Sequence, residues 1–304
     1  MLQPDAASRR RGIILYLLAI FFFALNDALG KWLVVDYPVG QLLALRSLGA
    51  AFVLAPMAWR LDATLADRRR PGLQIARVLC MALDTWCFYY ATRTMPLADV
   101  MTFYMAAPII VTALSAVFLR EEVEPLRWGA VVVGFLGVVV ALKPTPDILS
   151  TASPIALLGA TLFALGQTIT RALRGVHWLQ LIVWQFSGAG LIGAAALPFA
   201  FHAPGPLDLT LTFLLGAVAM GCFVCMTKAL ALAPASALAP LQYTAILWAT
   251  ALGWLVWGDG LSMHVIAGNA LIVASGFVMI KMEQVWAARN SRDLAGPSLP
   301  TPRR

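Results

Sequence analysis

Ten long apolar stretches run along the chain, at approximately 13–34, 40–59, 73–93, 98–119, 127–143, 153–172, 178–200, 209–230, 236–257 and 263–281. Each is close to the roughly 20 residues needed to cross about 30 Å of hydrocarbon. The runs are continuous rather than alternating, which excludes barrel strands. Backbone groups in lipid must pair within their own segment, so each run is expected to be a helix. The polar connections are short, which leaves no room for a sizeable soluble domain. Arg9-Arg10-Arg11 precede the first run as they would in a signal peptide, but the run continues past Phe23 and Ala28 without an evident cleavage site, so a retained helix is expected. Residues 282–304 are polar and Pro-containing and are expected to be a disordered tail.

The pattern is written twice. Ala24-Leu25-Asn26-Asp27, followed by Lys31, Gln41 and Arg46, returns 139 or 140 positions later as Ala164-Leu165-Gly166-Gln167, followed by Arg171, Gln180 and Gln185. Pro96 matches Pro234, Glu121 matches Asp259, Gly129 matches Gly268 and Gly137 matches Gly276. Each copy, 13–143 and 153–281, holds five spans. Five is odd, so the second copy starts from the opposite side of the bilayer and the halves are inverted. The predicted fold class is an all-α polytopic membrane protein of ten helices in two inverted five-helix repeats, an architecture of secondary transporters whose site lies where the halves meet.

Composition strengthens this picture: 61% of residues are hydrophobic, 12% are charged and the mean hydropathy is +0.80. Charge adds an orientation. With the N-terminus inside, the inner ends collect seventeen basic residues: Arg9 to Arg11, Arg60, Arg68 to Arg70, Arg120, Arg127, Arg171, Arg174, Lys228, Lys281, Arg289, Arg292, Arg303 and Arg304. The outer ends hold three: Lys31, Arg93 and Lys143. The positive-inside rule therefore puts both termini in the cytoplasm. The basic clusters read as orientation signals and lipid-headgroup contacts, not as a nucleic-acid surface.

Several stretches resemble a known family. Pro96-Leu97-Ala98-Asp99, Ala107-Pro108-Ile109, Val117-Phe118-Leu119-Arg120-Glu121, Gly129 and Gly137 resemble the second half of an EamA domain of the drug/metabolite transporter superfamily. The second copy departs from it, with Ile246 at the proline and Trp257-Gly258-Asp259 at the usual Gly-Glu ending. The resemblance spans residues 13 to 282 and implies two EamA repeats, alternating access and a bacterial inner-membrane location. It leaves the substrate open. Many members resemble exporters of amino acids or their derivatives; others resemble carriers of riboflavin, S-adenosylmethionine or opine-type metallophores. The expected function is transport of a small amphipathic or zwitterionic metabolite, with export favoured by the resemblance. Import of riboflavin, S-adenosylmethionine or another nucleotide-like solute is the alternative.

Charges at membrane depth are costly and mark candidate sites. Asp27 falls about 21 Å into the first span and Arg46 about 9 Å into the second from its outer end, so the two can face one another if these helices are neighbours. Lys31, four residues after Asp27, can pair with it along the helix as a gate. The three form either a structural ion network or a site for a zwitterion. Asp84 falls about 16 Å along the third span, where keeping a carboxylate ionised is costly unless a cation reaches it. It suits proton coupling or recognition of an amine; the bland alternative is a carboxyl hydrogen-bonded to neighbouring hydroxyls. In the second copy Gln167, Gln185 and Cys222 stand where the first has Asp27, Arg46 and Asp84. One wall of the site is therefore expected to be charged and the other neutral. Trp86, Tyr104 and Trp184 are candidate pocket walls, with packing as the commoner role of such aromatics. Glu121, Glu122 and Glu124 with Arg120 and Arg127 read as an inner-face charge lattice that can latch one conformation.

Neither a metal nor a cofactor is expected. Cys80, Cys87, Cys222 and Cys225 lie within spans, and His177, His202 and His264 lie near span ends. No nucleotide-binding motif is present, nor His-Glu-x-x-His or Gly-x-Ser-x-Gly, so a transporter rather than an enzyme is expected. The glycines of the fifth and tenth spans supply either close helix packing or a dimer contact, so monomer and homodimer both remain open.

Overall fold

The computed structural model describes residues 6–34, 36–60, 70–94, 97–143, 152–252, 254–255 and 263–294. The first half consists of α1 (Ala6–Leu33), α2 (Val39–Arg60), α3 (Pro71–Thr94), α4 (Leu97–Tyr104), α5 (Ala107–Phe118) and α6 (Pro125–Leu142). The second half consists of α7 (Ser153–Ala172), α8 (Trp178–Ala196), α9 (Pro206–Leu232), α10 (Ala235–Leu238), a 3-10 stretch (Ala239–Tyr243), α11 (Thr244–Leu252) and α12 (Met263–Leu294). All ten apolar runs are therefore helical. The fourth and ninth are broken, into α4 and α5 and into α10, the 3-10 stretch and α11. Proline sets several starts, at Pro71, Pro125 and Pro206, where its missing N–H costs nothing. Lys143 closes α6 in the left-handed region (φ 45°), its N–H donating to the Val139 carbonyl.

Six segments among the described residues are long and apolar enough to cross a membrane: Val39–Met57, Asp99–Phe118, Pro125–Leu142, Ser153–Ala172, Trp178–Ala196 and Pro206–Leu232. Large apolar side chains such as Phe52, Leu136, Leu191 and Phe277 lie exposed on the outside of the bundle, as a lipid-facing surface requires.

Packing follows the repeat. The principal pairs are α1 with α9, α3 with α7, α2 with α8 and α6 with α12. Each joins one half to the other. Exchanging the halves turns α1–α9 into α7–α3 and maps the other two pairs onto themselves, as a pseudo-twofold axis demands. Small residues permit the close approaches. A Cβ on Gly268 would meet the Ala141 backbone nitrogen at 2.5 Å, and one on Gly137 the Gly268 carbonyl at 2.9 Å. Gly129 and Gly276 have nothing within 4 Å, so they take no part in this seam.

Two expectations change. Helices α1 and α2 are not a principal packed pair; α9 packs against both. Their short connection does not make them neighbours because the interdigitated halves offer each a longer contact elsewhere. The expected disordered tail, 282–304, begins as helix: α12 continues to Leu294. Residues 282–294 hold Ala, Glu, Gln and Arg without Gly or Pro, which sustains a helix. Residues 295–304 lie outside the described residues, as do Pro96 and Asp259.

Candidate functional site

A cavity of about 1410 Å³ lies at the junction of the halves. Its first-half wall carries Asp27 of α1, Arg46 of α2, Asp84 of α3 and Tyr104 of α4; its second-half wall carries Cys222 of α9 and Gln242 of the 3-10 stretch. The wall continues to Asp36, Tyr37, Arg93 and His202. These sit at one end of the bundle, where Asp36 and His202 are exposed, so the cavity opens there.

Three ionisable groups share this space. Arg46 is buried, 7% exposed, and its Nε has no partner. The guanidinium stands in the field of Tyr89, Asp84 and Asp27, but among the described residues no ion pair joins it to either carboxyl group. Asp84 Oδ1 is buried and unpartnered. The Tyr104 hydroxyl donates to the Asp84 main-chain oxygen at 3.1 Å and sits beside its carboxyl. Asp27 accepts a 3.4 Å bond from the Asn26 amide. Taking a charge out of water costs several kcal/mol unless a partner replaces the water. Two carboxyl groups and a guanidinium held apart around a cavity are arranged to receive charge from something else.

The floor is a neutral cluster bridging the halves. The Tyr16 hydroxyl donates to Gln167 Oε1 at 2.7 Å, with a longer approach to Gln242 Oε1 at 3.4 Å. Gln167 Nε2 donates to the same Gln242 oxygen at 3.1 Å. Beyond it, toward the opposite end, lies an ion pair. Arg171 Nε meets Glu121 Oε1 at 3.0 Å, with the two side chains 4% and 14% exposed. Arg171 also donates to the Leu230 carbonyl at 2.8 Å. Glu121 accepts from the backbone nitrogens of Ala235 and Ser236 and from the Ser236 hydroxyl at 3.0 Å. Arg127 donates to the same hydroxyl at 3.2 Å. This end is closed, by contacts between the loop after α5, the end of α7 and the start of α10.

At the open end Gln41 and His202 exchange two hydrogen bonds, at 2.6 and 2.9 Å. The Tyr37 hydroxyl donates to Asp208 at 2.7 Å, and that bond to a carboxylate raises the phenol above its ordinary value. These contacts tie the α1–α2 connection to the α8–α9 region and leave the mouth between them open.

Of the expected site residues, Asp27, Arg46, Asp84 and Tyr104 line the cavity, and Gln167 sits in its floor. The cavity wall does not include Trp86, Trp184 or Gln185. Trp86 is 37% exposed and stands near Gly40 of α2; Trp184 is half-buried; Gln185 is buried with Oε1 unpartnered. The Lys31 side chain lies outside the described residues. Gln242 and Tyr16 were not anticipated; Glu121, expected in an inner-face latch, has Arg171 as its ion-pair partner. The offset that joins Pro96 to Pro234 also joins Tyr104 to Gln242, a signal that would have found the latter.

Inverted helical halves closing on a charged cavity, open toward one end and sealed at the other, define a multi-pass membrane transporter. The chain belongs to the EamA-like transporter family, whose model matches residues 10–143 and 151–281. It is 26% identical over 282 residues to a riboflavin transporter of Rhizobium johnstonii, covering 90% of this chain and 91% of that one. It is 27% identical over 269 residues to a pseudopaline exporter of Pseudomonas aeruginosa, covering 88% and 94%. An S-adenosylmethionine uptake transporter of Rickettsia felis is 25% identical over 227 residues, covering 74% and 76%. A crystal structure that is 19% identical superposes with a TM-score of 0.77, covering 90% of this chain and 98% of that chain; this likeness shows the fold. The family and these relatives are transporters, not enzymes, and they carry small molecules.

Proposed function

We propose that the chain carries a small zwitterionic or amphipathic metabolite, an amino-acid derivative or opine-type metallophore, outward across a bacterial inner membrane by alternating access. Asp27, Arg46, Asp84 and Tyr104 bind it. The supporting observation is the trio of Asp27, Asp84 and Arg46 around one cavity without an ion pair to Arg46. An amine on the ligand satisfies a carboxylate, a carboxylate satisfies Arg46, and the apolar wall receives the remainder. A neutral solute such as riboflavin would bring no carboxylate to Arg46. Asp84 is also the group best placed to exchange a proton for the ligand's cation. The basic residues at the closed end support its assignment to the cytoplasm, with both termini there.

One observation favours a second reading. Two carboxyl groups face a single guanidinium, so the ionised trio is net negative and suits a ligand of net positive charge, such as S-adenosylmethionine. A deletion strain distinguishes the two by comparing metabolites inside and outside the cell. Export predicts that a zwitterionic metabolite accumulates inside; import predicts that it persists outside; no change in any such compound sinks the substrate class.

A further inference from the structure

We propose that the broken segment Ala235–Tyr243 is the gate of the closed end and that Gln242 is its pivot, the residue at which the cavity's contents and the closure meet. The inference rests on the alternating-access reading but not on the identity of the substrate.

The segment is built to change shape. Four residues of α-helix give way to a 3-10 stretch at Ala239–Tyr243, and Pro240 there has no N–H to continue the α-ladder. A stretch of 3-10 helix inside a longer helical run is often a hinge. Every residue from Ala235 to Tyr243 is buried, so the hinge lies inside the bundle, where it can move only against its partners.

Those partners hold it at two places. At its start, the Glu121 carboxylate accepts from the Ala235 and Ser236 backbone nitrogens and the Ser236 hydroxyl, while Arg171 pairs with Glu121. Near its finish, Gln242 Oε1 accepts from Gln167 and Tyr16. Glu121 and Tyr16 belong to the first half and the segment to the second, so the closure ties the two halves together at the sealed end.

Gln242 differs from the other members of the closure because it also lines the cavity. Its oxygen is committed to Tyr16 and Gln167, which leaves its amide N–H groups for the cavity. A ligand carboxylate or carbonyl oxygen that engages them pulls on the same planar group whose oxygen the floor holds. Ligand contact and closure are then two demands on one planar group.

The test places a cysteine beneath the floor. Ser115 of α5 is 0% exposed, its main-chain carbonyl accepts the Glu121 N–H at 3.1 Å, and α5 packs against both α10 and the 3-10 stretch. In full-length protein with Cys80, Cys87, Cys222 and Cys225 replaced by Ser, Ser115→Cys is labelled by a membrane-impermeant maleimide from the closed-end side of proteoliposomes. Gln242→Met, which keeps the length of the side chain, and Tyr16→Phe, which removes a single hydroxyl, each raise the labelling rate about tenfold or more. S-adenosylmethionine, riboflavin and pseudopaline are then added in turn. Any that shows saturable counterflow alters labelling of the Ser115→Cys parent and does not do so in Gln242→Met. Equal basal rates in parent, Gln242→Met and Tyr16→Phe overturn the proposal. So does a transported compound that leaves the parent's labelling unaltered. Absence of counterflow for all three counts against the substrate reading, while the basal rates still decide the gate.

Discussion

Glu121 and Arg171 form a pair held further by backbone and hydroxyl partners, whereas Arg46 shares a cavity with Asp27 and Asp84 without an ion pair to either. The two clusters should respond oppositely to substitution. Arg171→Gln leaves Glu121 as a buried charge without its cation and is expected to cost about 3 kcal/mol of unfolding free energy in detergent. A loss under about 0.5 kcal/mol would place the pair among ordinary surface ion pairs. Neutralising Arg46 breaks no ion pair, so its effect belongs to transport rather than to stability. At the open rim, Tyr37 donates to Asp208 and its phenol is raised. A raised acid contributes stability below its unfolded value of 10.0 and loses it only as pH climbs through the folded value. Tyr37→Phe should therefore lower the melting temperature equally at about pH 6 and about pH 9, and a difference that vanishes by pH 9 contradicts the contact. Asp27, Arg46 and Asp84 were legible in the sequence because a charge inside an apolar run announces itself. Trp86 and Trp184 were misplaced because depth along a helix does not say which face a ring occupies. Gln242 was missed because a neutral amide near a proline is inconspicuous.

Helices were legible as lengths but not as breaks. The fourth and ninth spans read as continuous apolar runs, yet both are interrupted, at Met105–Ala106 and at Ala239–Tyr243. Pro108 and Pro240 sit just after or within these breaks, but proline also begins unbroken helices here, so its presence alone did not decide. Glycine is similarly ambiguous until neighbours are known. A Cβ at Gly134 would run into the ring of Tyr243, which is fully buried and cannot swing away. Gly134→Ala should cost about 1–3 kcal/mol by overpacking the α6 seam beside the gate. Gly129 lies on the same helix in open space, so Gly129→Ala should be neutral or stabilising by up to about 1 kcal/mol. Equal effects at the two positions, measured by thermal unfolding in detergent, would refute this division of α6 into a packed face and a free one.

At the scale of the whole molecule the repeat predicted two inverted halves but neither their interdigitation nor the state. A doubled sequence implies two equivalent ends; the structure has one open and one sealed. The charges are asymmetric too, because the repeat did not preserve them: Gln167 stands for Asp27, Gln185 for Arg46 and Cys222 for Asp84. Orientation remains a charge argument and is testable by labelling in intact cells. Asp36→Cys, exposed at the open end, should react with an impermeant maleimide from outside. Arg174→Cys, exposed at the closed end, should react only after permeabilisation, and the reverse pattern would invert the topology.

The central claim is that the Asp27, Arg46 and Asp84 cavity binds and carries the solute. Counterflow in proteoliposomes, with labelled S-adenosylmethionine, riboflavin and pseudopaline tested in turn, addresses it most directly. The account predicts saturable counterflow of at least one, reduced about tenfold or more, or about 1.4 kcal/mol, by Asp84→Asn and by Arg46→Gln. Counterflow unaltered in both variants, or flux that never saturates, would contradict it.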